Sequence, residues 1–175
     1  GIGWYRKTFR WRKDGRRALI CFDGVYMDST VYVNGAAVGE WKYGYSSFEH
    51  EITDALEDGE NEIVVKVVHQ SPNSRWYSGA GIYRNVWLKT RGPNWIETDG
   101  VYVSVRRQED GRWLVGIDTE VVLADAAVLT HAIMHRGRVV AETSGRAEAG
   151  RSVASHELIV EDPKLWHPGE PNLYT

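Results

Sequence analysis

Apolar and polar positions alternate at a period of two along most of this 175-residue chain. Almost no stretch carries the three-to-four spacing of an amphipathic helix. From Trp4 to Trp11 aromatic and basic residues alternate, and Asp14-Gly15 supplies a turn. Arg17 to Asp23 is nearly continuous in apolar residues, as in a strand buried on both faces. Val31 to Val38 holds Asn34-Gly35 between apolar flanks, which predicts a type I′ hairpin because both residues tolerate positive φ. Phe48 to Ile52 forms a further short strand. Asp54 and Glu57, three apart, are expected to frame one turn closed by a capping box. Asp58-Gly59-Glu60-Asn61 is read as the turn into Glu62–His69, where Ile63, Val65 and Val67 share a face. Val86 to Lys89 completes this series.

Arg91-Gly92-Pro93-Asn94 then reads as a linker, and a second series begins. Val101, Val103 and Val105 alternate up to a turn at Asp110-Gly111, and Val115, Ile117, Val121 and Leu123 line the next strand. Val128–His135 is expected to pair with Val139–Thr143 across Arg136-Gly137-Arg138, and Val153 to Val160 alternates again before Pro163 and Trp166. Short strands at this spacing predict an all-β chain of two consecutive sandwiches, residues 1–91 and 92–175. The second has the strand number of an immunoglobulin-like sandwich without its cysteine pair.

Composition narrows the function classes. A formal net charge of −3 provides no basic field for nucleic acid or an anionic membrane. No signal-peptide pattern or membrane-spanning run is visible. The single cysteine, Cys21, sits in the apolar run and reads as a buried strand thiol. Because the chain opens on Gly1 and closes on the strand-like Leu173-Tyr174-Thr175, a fragment of a longer protein is expected. The sequence does not choose between a bacterial cytoplasm and a periplasmic or secreted setting.

The stretch Gln70–Trp87 packs two Trp, two Tyr, two Arg and two Gly between two strands. Its rings either close a core or face a flat ligand such as a sugar. Gly79-Ala80-Gly81 lacks the third glycine and the helix start of a nucleotide loop. His131 and His135 lack the glutamate of a zinc helix, and His50, His69, His156 and His167 form no visible cluster. Glu49, Glu51, Asp54, Glu57, Asp58 and Glu60 sit on a strand and in turns, as a solvated surface rather than a glycosidase carboxylate pair. No serine-hydrolase elbow is present. Arg75, preceded by Asn73 and Ser74, offers donors and acceptors beside ring faces, as in sugar recognition. Equally, Arg75 could stack on Trp76 or pair with a carboxylate. Arg84 reads as structural.

The run Ser74-Arg75-Trp76-Tyr77-Ser78-Gly79-Ala80-Gly81-Ile82-Tyr83-Arg84-Asn85-Val86-Trp87 resembles the signature near the end of the sugar-binding domain of glycoside hydrolase family 2, closest to bacterial β-galactosidases. Gly3 to Phe9, Val31-Tyr32-Val33-Asn34-Gly35, Tyr43 to Phe48 and Gly59-Glu60-Asn61 agree in order. Pro163 to Trp166 and Pro171 to Tyr174 resemble the close of the family's immunoglobulin-like domain. The resemblance implies a jelly-roll sugar-binding domain lacking its first strands, then an immunoglobulin-like sandwich truncated at its end. It further implies a following (β/α)₈ barrel that holds both catalytic glutamates of a retaining glycosidase, so no catalytic residue is expected in this chain. No cofactor is expected within it, and any metal would belong to the barrel. Implied partners are a β-galactoside and the protein's own barrel, with homo-oligomerisation left open. By position the resemblance favours Arg75 as a sugar contact, with Asn73 and Ser74 behind it and Trp76 and Tyr77 as loop packing. A β-glucuronidase or β-mannosidase, a stand-alone carbohydrate-binding module, and a structural role in oligomer assembly are the alternatives.

Overall fold

The structure, a computed structural model, describes every residue except Ser71 and residues 74–77. Residues Gly1–Gly92 and Pro93–Thr175 form two compact units. Among the described residues there is no α-helix.

The first unit contains β1 (Ile2–Trp11), β2 (Arg17–Phe22), β3 (Val25–Tyr26), β4 (Ser29–Val33), β5 (Ala36–Trp41), β6 (Phe48–Glu51), β7 (Gly59–Val68), β8 (Gly81–Ile82) and β9 (Val86–Arg91). One sheet runs β1-β7-β4-β5, a second β6-β2-β9, and β3 pairs with β8. As the unbroken apolar run predicts, β2 is the central strand of its sheet, and Ala18 to Phe22 are all buried. Period-two alternation puts Trp11, Val31, Val33, Val65 and Val67 in the same core as Ile20 and Phe22, which Phe48, Ile52 and Leu56 complete. Phe22 and Phe48 stack with ring centroids 5.0 Å apart.

Two of the motif asparagines prove to be one device. Asn34 and Gly35 both take positive φ, 49° and 83°, as the hairpin requires. Asn61 is buried, and its carboxamide oxygen accepts from Asn34 Nδ2 and from the Glu57 N–H, each at 2.8 Å. Its own Nδ2 donates to the Glu57 and Gly59 carbonyls, while Asn34 Oδ1 accepts from the Glu62 N–H at 2.9 Å. The clasp satisfies the turn's backbone groups through the buried Asn61 side chain. It also replaces the expected capping box. Thr53–Ala55 forms a single 3₁₀ turn with no side-chain cap, and Thr53 Oγ1 instead accepts from the Ala18 N–H. Gly59 and Asn61 belong to β7 rather than to a turn before it, because the clasp lets pairing with β1 begin at Gly59.

The second unit contains β10 (Trp95–Arg107), β11 (Trp113–Leu123), β12 (Ala127–His135), β13 (Arg138–Ala147) and β14 (Gly150–Val160). One sheet runs β10-β11-β14 and the other is the β12-β13 hairpin, which turns at Arg136-Gly137 with φ of 48° and 76°. Val115, Ile117, Ile133, Leu158 and Val160 form its core. Val101, Val103 and Val105 alternate as expected but stay more than half exposed, lining an apolar groove of about 670 Å³ with Ile117, Leu165 and Trp166. His131, Thr119 and His156 form a cluster that the sequence did not reveal. Thr119 Oγ1 lies 2.9 Å from His131 Nε2, and His131 Nδ1 lies 2.9 Å from His156 Nδ1. The two histidines, 25 residues apart, meet from β12 and β14, which belong to different sheets, so local spacing could not show the contact.

Candidate functional site

The aromatic stretch leaves β7 at His69 and returns through β8. His69 is fixed by its backbone, donating its N–H to the Gly1 carbonyl at 2.8 Å and accepting from the Gly1 amino group at 2.6 Å. Its ring lies 5.8 Å from that of Tyr26 at the end of β3, and its Nε2 lies 3.4 Å from Ser78 Oγ. Ser78 Oγ donates to Asn73 Oδ1 at 3.4 Å, and Asn73 Nδ2 lies 3.3 Å from Met27 Sδ. Asn73 therefore sits exposed on a rim anchored from two sides. Arg75 and Ser74, like the packing residues Trp76 and Tyr77, lie outside the described residues.

Gly81 closes the stretch. Its φ is +111°, and the Tyr5 hydroxyl fills the space a Cβ would need, so glycine is required on both counts. Tyr5 Oη then accepts from the Ile82 N–H at 3.4 Å. A small cavity of about 260 Å³ opens here between Gly3, Tyr5, Val67, His69 and Gly81. Beyond it, Arg84 lies over the Tyr83 ring at 5.3 Å, and Trp87 Nε1 donates to Asp23 Oδ2 at 2.9 Å.

Tyr43 and Tyr45, adjoining Tyr26, were not assigned a role from the sequence. Tyr26 is buried, whereas both neighbours are 60% exposed. Tyr45 meets Tyr26 edge-on at 5.2 Å and Tyr43 at 5.7 Å. The Tyr45 hydroxyl is pushed above its ordinary pKa, chiefly by its hydrogen bond to Tyr26. The Tyr43-Gly44-Tyr45 spelling was the available signal, because a side chain at Gly44 would collide with the Tyr26 ring.

The Asn73 rim can hold a hydroxylated ligand through its carboxamide and the Ser78 hydroxyl beside it. Two of the acids considered earlier, Glu49 and Glu51, serve the fold. Glu49 pairs with Lys89 at 3.0 Å and Arg91 at 3.2 Å, and Glu51 pairs with Arg17 at 2.6 Å. Cys21 is buried beside Glu49, and burial first, then that carboxylate, push its thiol up to about 11, which removes it as a nucleophile. Among the described residues no group of three or more His, Cys, Asp or Glu is placed to hold a metal.

Comparison with known proteins gives the setting. The family model described as glycosyl hydrolases family 2, sugar binding domain, matches residues 1–92, and that described as glycosyl hydrolases family 2 matches residues 96–175. The chain is 42% identical to a β-galactosidase of Bacteroides ovatus, BoGH2A, with 100% of the chain and 22% of that protein covered. It is 32% identical to a β-galactosidase of Thermoanaerobacter pseudethanolicus, covering 99% of the chain and 25% of that protein. A solved family 2 member from Bacteroides cellulosilyticus superposes with a TM-score of 0.89 at 32% identity, over 99% of the chain and 26% of that structure. The chain thus spans about a quarter of the length of these relatives and corresponds to their N-terminal, non-catalytic part. With both of its units matched in order, the chain belongs to glycoside hydrolase family 2.

Proposed function

We propose that the protein containing this chain is a retaining β-galactosidase-like enzyme. In this reading residues 1–91 are a jelly-roll sugar-binding domain and residues 92–175 an immunoglobulin-like sandwich, and together they support the catalytic barrel. The observation that carries the reading is the 42% identity, extending over the whole chain and so over both units, to a β-galactosidase four to five times longer. The Asn73 rim faces the sugar, with Arg75 as its principal contact and Ser74 as a lesser one, and the barrel supplies both glutamates. Further strands add to β12 and cover the groove over Val101, Val103 and Val105. The backbone supports this, since Met134 and Thr175 exchange N–H···O=C bonds at 2.6 and 3.0 Å, starting an antiparallel partner along β12.

Assay of the full-length gene product on chromogenic β-glycosides tests the reading: galactoside hydrolysis is expected, and no hydrolysis of any of them would overturn it. A β-glucuronidase is the second reading, favoured by a solved β-glucuronidase of the family that superposes with a TM-score of 0.87 at 28% identity. Turnover of glucuronides in place of galactosides would select it.

A further inference from the structure

The candidate rim accounts for Asn73 and its neighbours but leaves Tyr43 and Tyr45 without a task. Each is 60% exposed, yet neither is loosely held. Residues 42–47, which carry both, are pinned on two sides: Tyr83 Oη donates to the Gly44 carbonyl at 2.8 Å, and Trp41 Nε1 donates to Ser46 Oγ at 3.2 Å. Tyr26 packs directly on Gly44 from below. The two exposed rings meet edge to face, at an interplanar angle of 67°. A chain of contacts joins this corner to the rim, from Tyr45 to Tyr26 at 5.2 Å, Tyr26 to His69 at 5.8 Å, and His69 through Ser78 to Asn73.

Rigid, exposed aromatic faces with phenol groups at their tips suit a pyranose, which offers a flat C–H face and equatorial hydroxyls at its edge. Ordering them costs little on binding, because their contacts already hold them. We infer that the Tyr43–Tyr45 corner is a second sugar subsite, taking a pyranose ring of an oligosaccharide whose terminal residue lies at the Asn73 rim. The inference rests on the glycosidase reading above.

The test compares methyl β-galactoside with a β-linked galactotriose on the full-length enzyme. Replacing Tyr43→Ala together with Tyr45→Ala is expected to lower kcat/KM for the trisaccharide roughly three- to tenfold, mainly through KM, with the methyl glycoside unchanged. The single change Tyr43→Trp, which widens the flat face, is expected to lower the trisaccharide KM. Equal losses on both substrates, or no loss on either, would overturn the subsite. If the wild type hydrolyses neither substrate, the glycosidase reading fails first. Calorimetric titration of wild type and double variant with the trisaccharide then decides the subsite alone: weaker binding by the variant supports it, and equal or absent binding in both overturns it.

Discussion

The two units use the same period-two grammar and end in different states. In the first, Phe22, Val25, Val31, Val33, Ile52 and Leu56 are each exposed by 1% or less, so its core is closed. In the second, the alternating Val101, Val103 and Val105 are 51–58% exposed over an apolar groove. Alternation specifies which side chains share a face. It does not supply the opposing layer that buries them. In the first unit a four-stranded and a three-stranded sheet, with the β3-β8 pair, share one core, whereas in the second β12-β13 is only a two-stranded layer beside a three-stranded sheet.

The contrast breaks most readily at the centre of the closed core. Phe22→Ala removes a ring stacked on Phe48 and is expected to cost about 3–5 kcal/mol, read by denaturant unfolding as an early loss of the first unit. Asn61→Leu should follow at about 1–3 kcal/mol, because the Glu57 N–H and the Asn34 amide lose their buried acceptor. Val103→Ala is expected to change the isolated chain by within about 0.5 kcal/mol, as at an exposed site. If further strands cover the groove as proposed, the same substitution should cost more in the full-length protein. Hydrogen exchange sharpens this: β10 and β12 amides should gain protection in the full-length protein while those of β2 do not.

Acid separates the units less. Burial lowers the pKa of His50 in the first, and burial with the nearby His156 lowers that of His131 in the second. The unfolded chain then binds more protons than the folded one between the lowered values and the ordinary 6.5. Both contributions are present above pH 6.5 and are lost as pH falls through the lowered values. A pH series of Tm should decline on that side, and His131→Gln should flatten the decline in the second unit alone.

Local patterns made most strands legible in the sequence, along with the Asn34-Gly35 hairpin and the buried run of β2, because hydrophobic period and turn chemistry act between near neighbours. What depended on distant pairing was hidden. The Asn34–Asn61 clasp joins residues 27 apart, and the Thr119–His131–His156 cluster draws on three strands. The candidate site was half legible. Asn73 stood out by its aromatic surroundings, but Tyr26 and His69 reach it only through the fold.

The central claim is that this chain carries one side of a sugar site whose other side lies elsewhere in the protein. Ring contacts of about 0.5–1.5 kcal/mol each fall well short of the roughly 4 kcal/mol needed for millimolar affinity. Calorimetric titration of the folded 175-residue chain and of the full-length protein with galactose and lactose tests the claim most directly. Binding by the full-length protein and none by the chain alone is the predicted result. Saturable binding of either sugar by the isolated chain, as tight as that of the full-length protein, would contradict it.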